Sequence, residues 1–212
     1  QGGPGTTAGY QALSRSKDLG LRAEGLYGLR DYRTANDAFR DAVKARPKDA
    51  NLKVRWGRLF VDYSQPGDAA DLFKEALEID PNNAKALYGM ALVASDAFEG
   101  NAADFAEKAL KADPNLFEAR ELLARIALED NHPEQAVEEA KKALDTSGEA
   151  LDALSLLATV DWLDDKPGHD WIDRVLQFNP TYGSEFSIAR DFFLFNRPSC
   201  PAPTASPPGL SA

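Results

Sequence analysis

The sequence predicts an all-α solenoid of antiparallel helix pairs, and three observations carry that prediction. A helix-breaking residue recurs at a near-fixed interval, small residues recur at the same interval, and the stretches between breaks are apolar on one side at helical spacing.

The breaks are Pro47, Pro81, Pro114, Gly148 and Pro180, separated by 34, 33, 34 and 32 residues. Proline inside a helix removes one hydrogen bond and clashes with the preceding turn, so each proline must lie between helices. A period of this size belongs to repeat architectures.

Taken in order, residues 1–11, which open QGGPGTTAG, are expected to be a flexible N-terminal tail, because such a tract has too little apolar surface to fold alone. The solenoid is expected over 12–197 and its first unit over 16–49, closed by ARPKDA around Pro47.

The second unit, 50–83, shows the internal organisation most plainly. ANLKVRWGRLFVDYS and DAADLFKEALEID are two helical halves separated by the breaker QPG. Leu52, Trp56, Leu59, Phe60 and Tyr63 share one side of the first half, and Ala69, Leu72, Phe73, Ala76 and Leu77 share one side of the second. Such a pair cannot cover its own apolar faces and needs a neighbouring pair on each side.

Units 84–116 and 117–150 follow the same plan, closed at ADPNLF and TSGEA. In the fifth unit, 151–182, Gly168 or Asp170 stands where a small apolar residue is expected. A final helix over 183–196, GSEFSIARDFFLFN, precedes a Pro/Ser/Ala-rich tail over 198–212. Its Phe192, Phe193 and Phe195 are too apolar for the outer face of a finished cap, so a cover is expected from the tail, another subunit or a further domain.

Ala23, Gly57, Ala91, Ala124 and Ala158 recur in the first helix of each unit. Ala42, Ala76, Ala109, Ala143 and Val175 recur near the end of the second, and Ala35, Ala69, Ala102 and Ala136 near its start. Close helix packing explains all three series. Trp56, Gly57, Ala69, Phe73, Ala76 and Pro81 together in one unit closely resemble the tetratricopeptide repeat (TPR), over about residues 16–182. The resemblance departs locally: the aromatic present as Phe39 and Phe73 is replaced by Ala106 and Ala140.

The resemblance implies a right-handed superhelix whose concave face is lined by the first helices and holds a peptide or a partner's helix. Residues spaced to line that face include Tyr27, Arg55, Arg58, Val61, Lys85, Tyr88, Leu92, Arg125 and Trp162, the candidate groove. The alternative for Tyr27, Tyr88 and Trp162 is that they cover neighbouring helices. Relatives that serve heat-shock chaperones carry a carboxylate clamp of two Lys, two Asn and an Arg. The matching places here are Gly20, Glu24, Arg55, Lys85 and Gly89; only Lys85 fits, and that clamp is rejected.

Catalysis is not expected. The two histidines, His132 and His169, fall in inter-helix turns, and no metal, phosphate-loop, nucleophile-elbow or EF-hand motif occurs. WLDDKPGHD, the nearest thing to a carboxylate cluster, reads as a solvated turn, and no cofactor is implied. With Cys200 as the single cysteine there is no internal disulfide; an exposed thiol there would cross-link, carry a lipid or do nothing.

The net charge of -10 argues against nucleic acid as a partner, and FFLFN is far short of a membrane span. Residue 1 is Gln, as in a mature form after signal-peptide removal or in a cloned fragment, and an extracytoplasmic place is slightly favoured over a cytoplasmic one. Charge is unevenly distributed. Residues 1–83 carry 13 Lys+Arg and 12 Asp+Glu, net +1, while 84–212 carry 11 and 22, net -11.

The leading expectation is therefore a non-catalytic scaffold that binds a protein or peptide partner in its groove. The alternative is a structural subunit that forms a homo-oligomer or filament end to end through Phe192, Phe193 and Phe195, or docks in a larger complex, extracellular or membrane-associated. A weaker one is the repeat region of a larger bacterial multidomain enzyme.

Overall fold

The computed structural model describes residues 6–164, 166 and 169–178. The expected final helix with Phe192, Phe193 and Phe195, the tail over 198–212, Cys200 and Pro180 lie outside the described residues, as does Gly168.

Every element is an α-helix among the described residues: α1 Thr7–Ser14, α2 Leu19–Gly28, α3 Tyr32–Ala45, α4 Ala50–Asp62, α5 Pro66–Ile79, α6 Ala84–Asp96, α7 Ala102–Ala112, α8 Phe117–Glu129, α9 Pro133–Thr146, α10 Leu151–Leu163 and α11 His169–Phe178. Contacts divide the chain into two units, Gln1–Ala150 and Leu151–Ala212.

Helix ends follow from local chemistry. Pro47, Pro81, Pro114 and Gly148 fall in the breaks that separate α3 from α4, α5 from α6, α7 from α8 and α9 from α10. Asp18, Asp49 and Asn83 cap α2, α4 and α6, each side chain accepting from a backbone N–H three residues on. Pro66 and Pro133 open α5 and α9 at the first helical position, where a missing N–H does no harm.

In the first unit, α2 pairs with α3, α4 with α5, α6 with α7 and α8 with α9, while α2 touches α4, α4 touches α6 and α6 touches α8. The first helices therefore run side by side. All three small-residue series are buried, from Ala23, Gly57, Ala91, Ala124 and Ala158 to Ala136, Ala143 and Val175. Phe39 and Phe73 fill the space between helices in the first two pairs. In the third, where the aromatic position holds Ala106, the ring comes from the preceding residue: Phe105 packs with Ala91, Ala106 and Leu122.

The N-terminus departs from the expected tail over 1–11. Thr6 caps α1 by accepting from the Gly9 N–H at 3.2 Å, and α1 lies on α2. The reason is in α2. A Cβ on Gly25 would sit 2.1 Å from the backbone nitrogen of Ser14, and one on Gly28 2.2 Å from the Tyr10 ring, so only bare backbone admits α1 at this distance.

In the second unit α10 packs on α11, and the Trp171 indole N–H donates to Asp161 at 2.8 Å. Asp170, at the place where a small apolar residue was expected, is exposed.

Candidate binding site

The first helices of the first unit border a cavity of about 330 Å³. Each side chain reaches it through helical spacing. Glu24 and Tyr27 come from α2; Val54, Arg55, Arg58 and Val61 from α4; Lys85, Tyr88, Gly89 and Leu92 from α6; Leu116 from the turn before α8 and Glu118 from its first turn; and Phe73 from α5.

Seven of the nine residues expected to line a groove meet here: Tyr27, Arg55, Arg58, Val61, Lys85, Tyr88 and Leu92. Arg125 is not among the lining residues. Arg125, exposed on α8, turns to Ser95 and donates to its hydroxyl at 3.3 Å. Trp162 belongs to α10 in the second unit, where it is half-buried.

Spacing along the first helices places Val54 on this face but did not reveal the rest of the floor. Val54, Phe73, Gly89 and Leu116 are buried beneath the polar rim. Phe73 reads from sequence as packing alone and Leu116 as part of a turn. A bare Gly89 in the middle of α6 was the available signal, because glycine there weakens the helix and calls for a close approach.

Electrostatics divide the cations into two kinds. Arg55 is committed: its Nε lies 3.4 Å from Glu24 Oε1 and donates to the Asn51 carbonyl at 3.3 Å. Arg58 and Lys85 are exposed and, among the described residues, lie within ion-pair distance of no carboxylate. Burial pushes the Glu24 carboxyl above the ordinary carboxylate range, opposed by Arg55, Arg58 and Lys85. Its Oε1 is buried and accepts no hydrogen bond among the described residues.

Tyr27 donates its hydroxyl to Asp62, and burial first, then that carboxylate, raises the phenol well above its ordinary value. The hydroxyl therefore stays protonated and fixed. Among the described residues no cluster of three His, Cys, Asp or Glu is placed to hold a metal ion, and no helix is long and apolar enough to cross a membrane.

Solved structures with the same arrangement decide the fold. The chain aligns over 88% of its length with all of YrrB, described as a TPR protein with an unusual peptide-binding site, at 14% identity and a TM-score of 0.54. This chain folds as a tetratricopeptide-repeat protein. The TPR chain also aligns over 76% of its length with 96% of a MamA crystal structure, at 16% identity and a TM-score of 0.58. A third alignment, with Pseudomonas aeruginosa pilF, covers 84% of this chain and 81% of that one, at 14% identity and a TM-score of 0.65. No family model matches the sequence, and no curated protein matches it. These likenesses concern the TPR fold.

Proposed function

We propose that this protein is a non-catalytic interaction scaffold that holds a segment of a partner polypeptide in the cavity between α2, α4 and α6. The observation that carries the reading is the composition of that cavity: a buried apolar floor of Val54, Phe73 and Leu116 beneath a rim of Tyr27, Arg58, Lys85 and Tyr88. A few placed polar groups over an apolar floor are what a peptide side chain and its backbone need. The likeness to YrrB, described as having a peptide-binding site, supports the reading.

Selection of peptides from a displayed random library tests it. Sequences enriched on the wild-type chain should lose binding to a folded Arg58→Ala, Tyr88→Ala double variant. Retention of every enriched peptide by that variant would place binding elsewhere and sink the proposal.

A second reading, end-to-end assembly, draws on the charge asymmetry of the chain, near neutral over 1–83 and net -11 over 84–212. Growth of the solution mass with concentration, weakening with salt, is its expected signature; a salt-independent monomer would remove it.

A further inference from the structure

Resting on the reading that the cavity holds a partner segment, we propose that the segment is an extended stretch with one internal aspartate or glutamate between apolar residues, its carboxylate set against Arg58 and Lys85.

Charge complementarity is the first argument. Five charged residues line the cavity: Arg55, Arg58 and Lys85 against Glu24 and Glu118. Glu24 engages Arg55 at 3.4 Å, whereas Arg58 on α4 and Lys85 on α6 have no ion-pair partner among the described residues. Arg58 and Lys85 act on Glu24 only at a distance, and a carboxylate placed between them would gain a direct attraction to each. In a chain of net charge -10, this is a local basic spot.

The layout of the cavity makes the carboxylate internal. Glu24 and Tyr27 line it from α2, before the two cations, and Leu116 and Glu118 from the turn before α8 and its first turn, beyond them. A segment crossing from one side to the other continues past the cations in both directions, so the acid is a side chain rather than a chain end. The flanks are apolar because Val54, Phe73 and Leu116 form the floor. The acid is single because neighbouring acids would meet Glu24 or Glu118, and like charges placed together at an interface are rejected.

Fluorescence anisotropy with short labelled peptides, acetylated and amidated so that neither end is charged, tests the assignment. The central residue is Glu, Gln or Lys between leucines, and a fourth peptide combines central Gln with a free C-terminal carboxylate. The wild-type chain is compared with Arg58→Gln, Lys85→Gln and with Tyr88→Ala, each checked for folding by circular dichroism. On the wild type the Glu peptide should bind about tenfold more tightly than the Gln peptide, with the Lys peptide weakest. The double variant should bring the Glu and Gln peptides within about twofold of each other.

Equal binding of Glu and Gln on the wild type, survival of the preference in the double variant, or a free-carboxylate peptide matching the Glu peptide would each overturn the internal-acid assignment. In those cases sensitivity to Tyr88→Ala leaves the cavity reading standing. If no peptide binds, or binding ignores Tyr88→Ala, both readings fall. Self-association that the double variant abolishes would put a second copy in place of the partner segment and overturn the proposal.

Discussion

The ring of Phe73 occupies the space that a side chain on Gly89 would need: a Cβ there would lie 2.4 Å from the ring. Phe73 on α5 is thereby shared between its own pair and α6, and it forms part of the cavity floor. Gly57 on α4 is nearly as close, with a Cβ meeting the same ring at 2.7 Å. A buried aromatic ring cannot swing aside as a flexible chain end does. Gly89→Ala should therefore destabilise the protein by about 1–3 kcal/mol through overpacking, read from the denaturation midpoint. Phe73→Leu in the same chain should recover part of the loss; a neutral Gly89→Ala would contradict this packing.

The break at Pro81 ends in a cap. The Asn83 side chain accepts from the Ala86 N–H at 3.0 Å and starts α6, which carries Lys85, Tyr88 and Leu92 to the cavity. Asn83→Ala should lower stability by about 1 kcal/mol, with Asn83→Ser, which keeps a capping oxygen and adds no charge beside Asp80, closer to wild type. Equal losses in both variants would mean that the amide acts through another contact.

Among the described residues, four non-glycine residues hold left-handed backbone at equivalent turns: Arg30, Ser64, Phe98 and Asn131, with φ of 61°, 55°, 55° and 60°. Each ends the first helix of a pair, and the following N–H bonds back to the helix, as Glu99 does to the Ala94 carbonyl at 2.8 Å. Phe98 is 92% exposed and has little packing to lose. Phe98→Gly should raise stability by about 0.5–1 kcal/mol in chemical denaturation, since glycine adopts this conformation freely. A loss would show that the ring makes contacts that stabilise the fold.

Glu24 supplies a pH dependence. Burial holds its carboxyl above the ordinary range despite Arg55, Arg58 and Lys85, so the folded chain binds this proton more readily than the unfolded chain does. Its contribution to stability is then largest in acid, below the unfolded value, and is lost as pH rises through the raised folded value. Glu24→Gln should accordingly raise the melting temperature near neutral pH, with the gain shrinking as the solution is acidified through the carboxylate range. A lower melting temperature at neutral pH would mean that the ion pair with Arg55 outweighs the burial.

Most of the helical framework was legible because its signals are local or periodic. Pro47, Pro81 and Pro114 interrupt any helix beyond its first turn, and Ala23, Gly57 and Ala91 mark each first helix by size alone. The rim of the cavity was legible for the same reason: Arg58 and Val61, or Lys85, Tyr88 and Leu92, share a face by spacing within one helix. What escaped depends on partners distant in sequence. The helix α1 sits where it does because Gly25 and Gly28 are bare, which a composition-based reading of residues 1–11 does not capture. Phe105 replaces the ring missing at Ala106 from the next position along, and Arg125 is drawn to Ser95, a contact between α8 and α6. The floor combines Phe73 from a second helix with Leu116 from a turn, so no single-helix pattern contains it.

The measurement that tests the central claim most directly is an amide NMR titration of the full chain with a peptide enriched by selection. The account predicts saturable shifts concentrated at Tyr27, Arg58, Val61, Tyr88 and Leu92, all on the first helices around the cavity. Shifts confined to α3, α5 and α7, or to residues after Ala150, would contradict it.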